Sequence, residues 1–278
     1  DVVISVWSKV LIYLQDTMND LQSPIEINSV VTSDYIDGLG IGDFNSDGLK
    51  DIAVSHDTTD VISIIYQSPL GVYNEQIFVA PASCCSNQID IGDVNNDNLD
   101  DVVLSTGGTP GCIAVYSQGT NGLLNNYLEY PNLPSQWGGN VSVDIGDLNN
   151  DGRNDIIKTS MGNVPNSKTT IYFQDSLTNL MSTPLVLAAN DIPRPIKIED
   201  FDCDGRNEFI IGHGGFNEFS LYEQNAVNQF STYTIQSLPY VQHFNPYGLS
   251  VGDINSDGKK DAVFAEMFPG LILLYNQS

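Results

Sequence analysis

A phrase of acidic and apolar residues recurs five times in the chain at nearly constant spacing. Its copies begin at residues 41, 91, 145, 198 and 251 and read IGDFNSDGLKDIAV, IGDVNNDNLDDVVL, IGDLNNDGRNDIIK, IEDFDCDGRNEFII and VGDINSDGKKDAVF. The first aspartate of each copy lies at 43, 93, 147, 200 and 253, so the intervals are 50, 54, 53 and 53 residues. A period of this length predicts a repeat architecture in which each copy is one supersecondary unit.

Each repeat has the pattern of four short strands. In the first complete copy, apolar and β-branched runs predict strands A to D at 38–43, 51–55, 61–66 and 75–80. Four strands within about 40–55 residues make one β-propeller blade. The prediction is therefore an all-β fold, a single β-propeller domain over residues 1–278 built of four-stranded blades. A linear β-solenoid is the alternative, although its coils are usually shorter.

The copies of each strand predict the number of blades. Six B–C pairs and five A strands indicate six blades, or seven if part of the propeller lies outside this sequence. The N-terminal run DVVISVWSKVLIYLQ repeats the B–C half without an acidic loop, which aligns Asp1 with Asp51 and Asp261. We therefore expect the first blade to lack strand A and the last to lack strand D. A neighbouring copy or another segment could supply a strand, so a structural subunit of a larger assembly is one functional alternative.

The acidic loop between strands A and B has the composition of a calcium site. It places side-chain oxygens at positions 1, 3, 5 and 9 and a backbone carbonyl at position 7, and Ca²⁺ takes six to eight oxygen ligands. Position 6 is glycine in four copies and Asn98 in the other, and both tolerate the left-handed backbone of a tight turn. Asp, Asn and Gly are also ordinary turn formers. Five loops with the same spacing favour the cation site.

The pattern D-x-[ND]-x-D-[GN]-x-x-[DE] between strands, at a period near 53, resembles the FG-GAP/VCBS repeats of integrin α-subunit-like propellers. This resemblance implies a β-propeller with about five calcium ions bound between strands A and B, in an extracellular, cell-surface or periplasmic setting. Carried over position by position, it implies five ligand sets, with the residue at position 7 contributing its carbonyl: Asp43, Asn45, Asp47, Leu49 and Asp51; Asp93, Asn95, Asp97, Leu99 and Asp101; Asp147, Asn149, Asp151, Arg153 and Asp155; Asp200, Asp202, Asp204, Arg206 and Glu208; and Asp253, Asn255, Asp257, Lys259 and Asp261.

The charge of the chain agrees with cation binding. The 35 acidic residues outnumber the 10 Lys and Arg residues, which gives a formal net charge of −25. Nucleic acids and anionic membrane surfaces need a basic patch, so this balance argues against both as partners. No apolar run is long enough for a transmembrane helix, so we expect no membrane insertion.

The loops at the other ends of the strands concentrate aromatic and histidine residues. If the A–B loops lie on one face of the propeller, the B–C and D–A loops lie on the other, and loops on a rigid scaffold often carry binding residues. We expect a ligand-binding face there, for a glycan or a protein, formed by Trp7, His56, Trp137, Arg194, His213, His243 and Tyr247. The same side chains could instead cap the core.

Two classes of function fit this face. The first is a recognition or adhesion module, and the second is a carbohydrate-active enzyme similar to a polysaccharide lyase, with histidines as acid–base groups. The chain contains no H-E-x-x-H or phosphate-loop motif, and this favours the binding module without excluding catalysis.

The four cysteines divide between the two faces. A Cys112 bridge to Cys84 or Cys85, a vicinal Cys84–Cys85 bridge, and free thiols all remain open from the sequence. Cys203 lies inside the fourth acidic loop, away from the other three, and we expect it to be reducible or free. Asn140 and Asn276 begin glycosylation sequons.

Overall fold

The computed structural model describes residues 1–31, 35–82, 86–108, 111–132, 139–175, 183–214, 218–225, 229–230, 233–238, 248–265 and 272–275. These residues form strands, turns and bends, and the described part of the chain contains no helix. They divide into two compact units, Asp1–Asp93 with Asn98–Pro131, and Val94–Asp97 with Asn132–Ser278. The prediction of a single domain stays a prediction.

The first unit contains three antiparallel sheets whose strands follow one another in chain order. Within the described residues, the first sheet has three strands and the next two have four each. Their bounds are β1 Val2–Val6, β2 Lys9–Tyr13 and β3 Ile25–Asn28; β4 Ile36–Gly42, β5 Asp51–His56, β6 Val61–Gln67 and β7 Tyr73–Val79; β8 Ser86–Gly92, β9 Asp101–Thr106, β10 Cys112–Tyr116 and β11 Leu128–Pro131.

The second unit repeats this arrangement. It has two sheets of four strands and, within the described residues, a last sheet of three. The bounds are β12 Asn140–Gly146, β13 Asp155–Ser160, β14 Lys168–Tyr172 and β15 Leu185–Ala188; β16 Pro193–Glu199, β17 Glu208–His213, β18 Glu218–Tyr222 and β19 Thr234–Ser237; β20 Leu249–Gly252, β21 Asp261–Ala265 and β22 Ile272–Tyr275.

The register of the first two strands of each complete sheet fixes the acidic loop. β4 pairs with β5 so that Gly42 faces Asp51, and the eight residues between them form the loop. A register irregularity between Ile36 and Leu39 bends β4 at its far end, and β8, β12 and β16 have the same feature. The four predicted strands of the first complete repeat therefore exist, within two residues of their predicted starts.

Neighbouring sheets in the first unit pack face to face through apolar side chains. Ile62 and Ile64 of β6 and Val102 and Leu104 of β9 belong to one buried cluster. A Cβ atom at Gly40 of β4 would lie 2.5 Å from Ile91 Cγ1, so this close approach of β4 and β8 requires glycine. The strands that match β5, namely β9, β13 and β17, are buried at every residue, as expected for strands covered on both faces.

Buried tyrosines explain the aromatic residue that ends the third strand of the repeats. Tyr116 at the end of β10 is buried, and its hydroxyl donates to the Val79 carbonyl of the preceding sheet at 2.9 Å. In the second unit, the Tyr222 hydroxyl donates to the Ala188 carbonyl at 2.8 Å. Burial raises the pKa of both phenols, so they stay neutral donors that tie one sheet to the next.

Candidate metal centre

The first acidic loop folds back on its own aspartate side chains. Asp43 follows β4, and its carboxylate accepts the backbone N–H of Asp47 at 3.1 Å and of Gly48 at 2.9 Å. Asn45 Oδ1 also accepts the Asp47 N–H at 3.0 Å, and Asp47 Oδ1 accepts the Leu49 N–H at 2.8 Å. These bonds tie the side chains of positions 1, 3 and 5 to the backbone of one tight turn.

The other loops use the same position 6 to position 1 bond. The N–H at position 6 donates to the first aspartate at 2.7–2.9 Å, in the pairs Asn98–Asp93, Gly152–Asp147, Gly205–Asp200 and Gly258–Asp253. The five loops are therefore copies of the same structural element. This supports the resemblance to FG-GAP/VCBS repeats from which the ligand positions were predicted.

Two positions of every loop adopt the left-handed backbone conformation. Position 6 was expected to do so, and its φ lies between 64° and 87°. Position 4 does so as well, with φ between 57° and 64°, although none of its residues is glycine: Ser46, Asn96, Asn150, Cys203 and Ser256. Sequence reasoning missed position 4, whose signal is weak because Ser and Cys have no preference for this region.

The acid at position 9 is buried in every loop, and in the first and third loops it receives two backbone hydrogen bonds. Asp51 accepts the Gln67 N–H at 2.8 Å with one carboxylate oxygen and the Phe44 N–H at 3.0 Å with the other. Asp155 does the same with Gln174 and Leu148, both at 2.8 Å. This acid therefore joins the loop to the third strand, and its remaining lone pairs are available to a cation.

The residues fit a hard cation such as calcium. Every side chain at positions 1, 3, 5 and 9 offers oxygen, which suits Ca²⁺ rather than zinc or copper. In the fourth loop, carboxylate oxygens of Asp200, Asp202 and Glu208 all lie within 4.8 Å of one another. The fourth loop differs from the others because position 3 is Asp rather than Asn and position 9 is the longer Glu.

Burial opposes ionisation of the acid at position 9. Desolvation raises the pKa of Asp155 to about 7, against the lowering effect of its hydrogen bonds from Gln174 and Leu148. Desolvation likewise raises the pKa of Glu208 to about 7 and also raises that of Asp51. A bound cation would stabilise the ionised form of these three groups, so metal binding at their loops would be coupled to proton release.

This coupling predicts opposite pH dependences with and without calcium. The folded-state pKa of Asp155 and Glu208 lies above the unfolded value. Their contribution to the free energy of unfolding is therefore fully present below about pH 4 and is lost as pH rises towards 7. We expect the stability of calcium-free protein to fall over this window, while the increment that calcium adds should grow. Urea unfolding at pH 4.5, 5.5, 6.5 and 7.5 measures both, and calcium-free stability that rises with pH would contradict the prediction.

Position 2 carries an apolar residue that the sequence analysis did not use. Phe44 is fully buried in the cluster that contains Val102 and Tyr116 of the next sheet, and Leu148 is buried in the same way in the second unit. By contrast, Ile254 at position 2 of the fifth loop is 53% exposed. The signal was present in the sequence, since position 2 is apolar in every copy.

The predicted ligand face is partly described. Trp7 lies in the turn between β1 and β2, is 70% exposed, and packs against the Tyr35 ring with centroids 5.3 Å apart and planes tilted by 36°. Arg194 lies in β16 and is half-buried. Trp137, His243 and Tyr247 lie outside the described residues.

The expectation that His56 and His213 lie in exposed loops is wrong. They are the last residues of β5 and β17, and both are buried. Nε2 of His56 lies 2.9 Å from Ser63 Oγ, and Nε2 of His213 lies 2.7 Å from Ser220 Oγ. Burial lowers the pKa of His213 to about 4. Both rings therefore cap the core in the described structure, which was the alternative left open by the sequence.

The cysteines are described in part. Cys203 is an exposed free thiol in the fourth loop, and its Sγ lies 3.7 Å from the Gly258 carbonyl of the fifth loop. Cys112 is buried beside Thr106, with Sγ 3.4 Å from Oγ1. Cys84, Cys85 and Asn276 lie outside the described residues, and Asn140 is the first residue of β12.

No helix of the described residues could span a membrane.

Comparison with protein families identifies two repeats. The family described as FG-GAP-like repeat matches residues 93–157 and 200–264, so the chain carries FG-GAP-like repeats at these two positions. The predicted resemblance is confirmed there. No curated protein matches the chain.

Solved structures show the fold. The chain is similar to a protein from Lactobacillus plantarum (TM-score 0.63, 12% identity, 85% of this chain and 68% of that chain). It is also similar to BBS1N in complex with ARL6DN (TM-score 0.62, 14% identity, 99% and 74%). A third match, in the Photorhabdus luminescens Tc holotoxin pore, has a TM-score of 0.48 at 14% identity and covers 98% of this chain; the chain spans only 13% of that longer one. The structural neighbours with the higher TM-scores are β-propellers, which confirms the predicted fold class.

Proposed function

We propose that this FG-GAP-repeat β-propeller is a calcium-stabilised recognition module that binds a glycan or a protein outside the cell. The observation that carries the recognition role is the exposed Trp7–Tyr35 pair, in which Trp7 lies in the turn between β1 and β2 and Tyr35 directly precedes β4. The calcium role is supported by the five acidic loops, which share one backbone geometry at positions 4 and 6.

The position of the acidic loops supports a stabilising rather than a catalytic cation. Each loop joins two adjacent strands of one sheet, so that binding energy contributes directly to folding. With about three acids per loop, the affinity expected is in the range of about 10⁻⁴ to 10⁻⁶ M, which extracellular calcium would satisfy. An extracellular, cell-surface or periplasmic location follows from this affinity as part of the proposal.

The aromatic pair has the properties of a binding platform. Backbone hydrogen bonds fix both aromatic residues. The Ile36 N–H donates to the Trp7 carbonyl at 2.9 Å, and the Asp57 N–H donates to the Tyr35 carbonyl at 3.0 Å. Large rings with few rotatable bonds bind at a low entropic cost, and their polar tips offer hydrogen bonds. A sugar ring or an aliphatic side chain of a protein partner would gain from this surface.

Replacement of Trp7 by Ala is expected to weaken binding to an immobilised glycan panel by about tenfold, because one aromatic contact is worth on the order of 1 kcal/mol or more. Leu70→Ala is the matched control, since Leu70 is exposed and lies in the β6–β7 turn at the other ends of the strands. If Leu70→Ala abolishes the binding seen with the wild type while Trp7→Ala leaves it intact, the functional surface lies elsewhere. A panel that captures no glycan would favour a protein ligand, to be tested with the same two variants.

A further inference from the structure

The residue at position 8 of an acidic loop contacts the start of the preceding loop. Asp100 occupies position 8 of the second loop, and its Oδ2 accepts the backbone N–H of Asp43, where the first loop begins, at 2.8 Å. In the second unit, Asn207 at position 8 of the fourth loop donates from Nδ2 to the Asp147 carbonyl at 2.8 Å. In both units, therefore, a side chain of one loop holds position 1 of the loop before it.

The residue that precedes position 1 determines how this contact is made. Gly42 precedes the first loop, and a Cβ atom there would lie 3.0 Å from Asp100 Oδ2, so a side chain would crowd the hydrogen bond. Before the fourth loop this residue is Glu199, and position 8 of the fifth loop is Lys260. Lys260 Nζ lies 3.3 Å from Glu199 Oε2, and Glu199 Oε1 accepts the Asp200 N–H at 3.3 Å. A different pair of residues thus makes the same connection.

Other contacts from the following sheet reach positions 2 and 3. The segment between β10 and β11 lies so close to the first loop that a Cβ atom at Gly122 would lie 2.5 Å from the Asn45 carbonyl oxygen. In the second unit, the buried side chain of Gln224 donates from Nε2 to the Leu148 carbonyl at 2.7 Å. The first three positions of these loops are therefore held by the next sheet as well as by their own turn.

Position 8 also lies between two predicted cation ligands of its own loop. Asn207 stands between Arg206, whose carbonyl is the predicted ligand at position 7, and Glu208, the acid at position 9. A cation in the fourth loop would restrain the backbone on both sides of Asn207, so its side chain would lose less entropy on bonding to Asp147. A cation in the third loop would order Asp147 in the same way. Each binding event therefore lowers the cost of the other.

We propose that neighbouring acidic loops bind calcium cooperatively, the first with the second, the third with the fourth and the fourth with the fifth, and that position 8 carries the positioning residue that couples them. This inference rests on the proposed calcium binding and adds an interaction between its sites. Because linkage is reciprocal, a cation in the fourth loop strengthens binding in the third by the same factor as the reverse. One hydrogen bond corresponds to a factor of about threefold to tenfold in affinity.

Calcium titration of the isotope-labelled full chain, followed by NMR of its backbone amides, measures the loops separately. The amides of Gly152 and Gly205 at position 6 donate to the first aspartate of the third and fourth loops, so their resonances report the occupancy of each loop. Asp204→Ala removes a predicted ligand from the fourth loop alone. We expect it to raise the calcium midpoint of the Gly152 resonance by about threefold to tenfold, although the third loop is unchanged.

Two further variants separate coupling from a general effect. Asp47→Ala makes the same change at position 5 of the first loop, which the second loop separates from the third in the chain, and it should leave the Gly152 midpoint unchanged. Asn207→Leu keeps the approximate size of the side chain and removes its donor. In the Asn207→Leu background, Asp204→Ala should no longer shift the Gly152 midpoint, as in a double-mutant cycle.

A Gly152 midpoint that ignores Asp204→Ala would overturn the proposal, and so would a shift that persists in the Asn207→Leu background. If Asp204→Ala unfolds the chain, Asp204→Asn repeats the test, since it keeps an acceptor for the Arg206 N–H and removes the charge. Calcium responses without coupling would remove this inference and leave the proposed calcium binding in place. Wild-type Gly152 and Gly205 resonances that ignore calcium would contradict the calcium binding itself.

Discussion

Removal of calcium is expected to lower the unfolding temperature of this protein by about 10 °C or more. One site held at 100 times its dissociation constant adds about 2.7 kcal/mol, and 1 kcal/mol corresponds to about 2–4 °C in a chain of this size. Several loops that fill together should exceed the effect of a single site. Without cations, the aspartates of positions 1, 3 and 5 repel one another inside each turn.

Differential scanning calorimetry of dialysed protein with chelator, and then with excess calcium, measures this effect. Restoration by calcium but not by the same concentration of sodium chloride is the control for ionic strength, since salt screens exposed charges without occupying a site. An unchanged melting curve in chelator, with metal removal confirmed by elemental analysis, would show that the loops are turns without a stabilising cation.

Replacement of Asp155 by Ala is expected to lower the free energy of unfolding by about 2–4 kcal/mol even without calcium. The change leaves the backbone N–H groups of Leu148 and Gln174 without their acceptor, at about 1–3 kcal/mol for each buried group. Removal of the desolvation cost of this buried carboxyl group offsets part of this loss. Urea unfolding in calcium-free buffer at pH 6 measures the change.

Asp151→Ala in the same loop is the matched control. Asp151 is the exposed acid at position 5, where it accepts the Arg153 N–H at 3.0 Å. Its loss should weaken calcium-dependent stabilisation but cost little in calcium-free buffer. If the two variants lose the same free energy without calcium, the buried acid has no structural role beyond that of the exposed one.

The β-strands and the loop geometry were accessible from the sequence because they depend on local residue types. Alternation of apolar residues predicted the strands, and the repeated Asp-x-Asn/Asp-x-Asp pattern predicted turns closed on aspartate, as at Asp43 and Gly48. Asp1 was aligned with Asp51 from the repeat, and its bond from Gln15 confirms that alignment. Internal repetition made these predictions secure, since each copy is an independent instance of the same local rule.

Side-chain environment was not accessible in the same way. His56 and His213 were predicted on a surface by their distance from the acidic loop. In the structure each strand extends to include its histidine, whose Nε2 lies within hydrogen-bond distance of a serine hydroxyl on the adjacent strand. At position 8, Lys50, Asp100 and Asn207 share a register but present different charges to the neighbouring loop. The repeat period predicts where such positions lie in the chain but not which residues lie opposite them in the structure.

The sequence by itself determined the period, the strands, the position of each acidic loop and the oxygen-bearing residues at its positions 1, 3, 5 and 9. Tertiary structure alone decided that Phe44 is buried while Ile254 at the same position is exposed, and that His56 and His213 are buried at the ends of β5 and β17. The reason is physical: turn geometry and strand alternation arise from contacts within a few residues, whereas burial depends on which sheet lies against a given side chain.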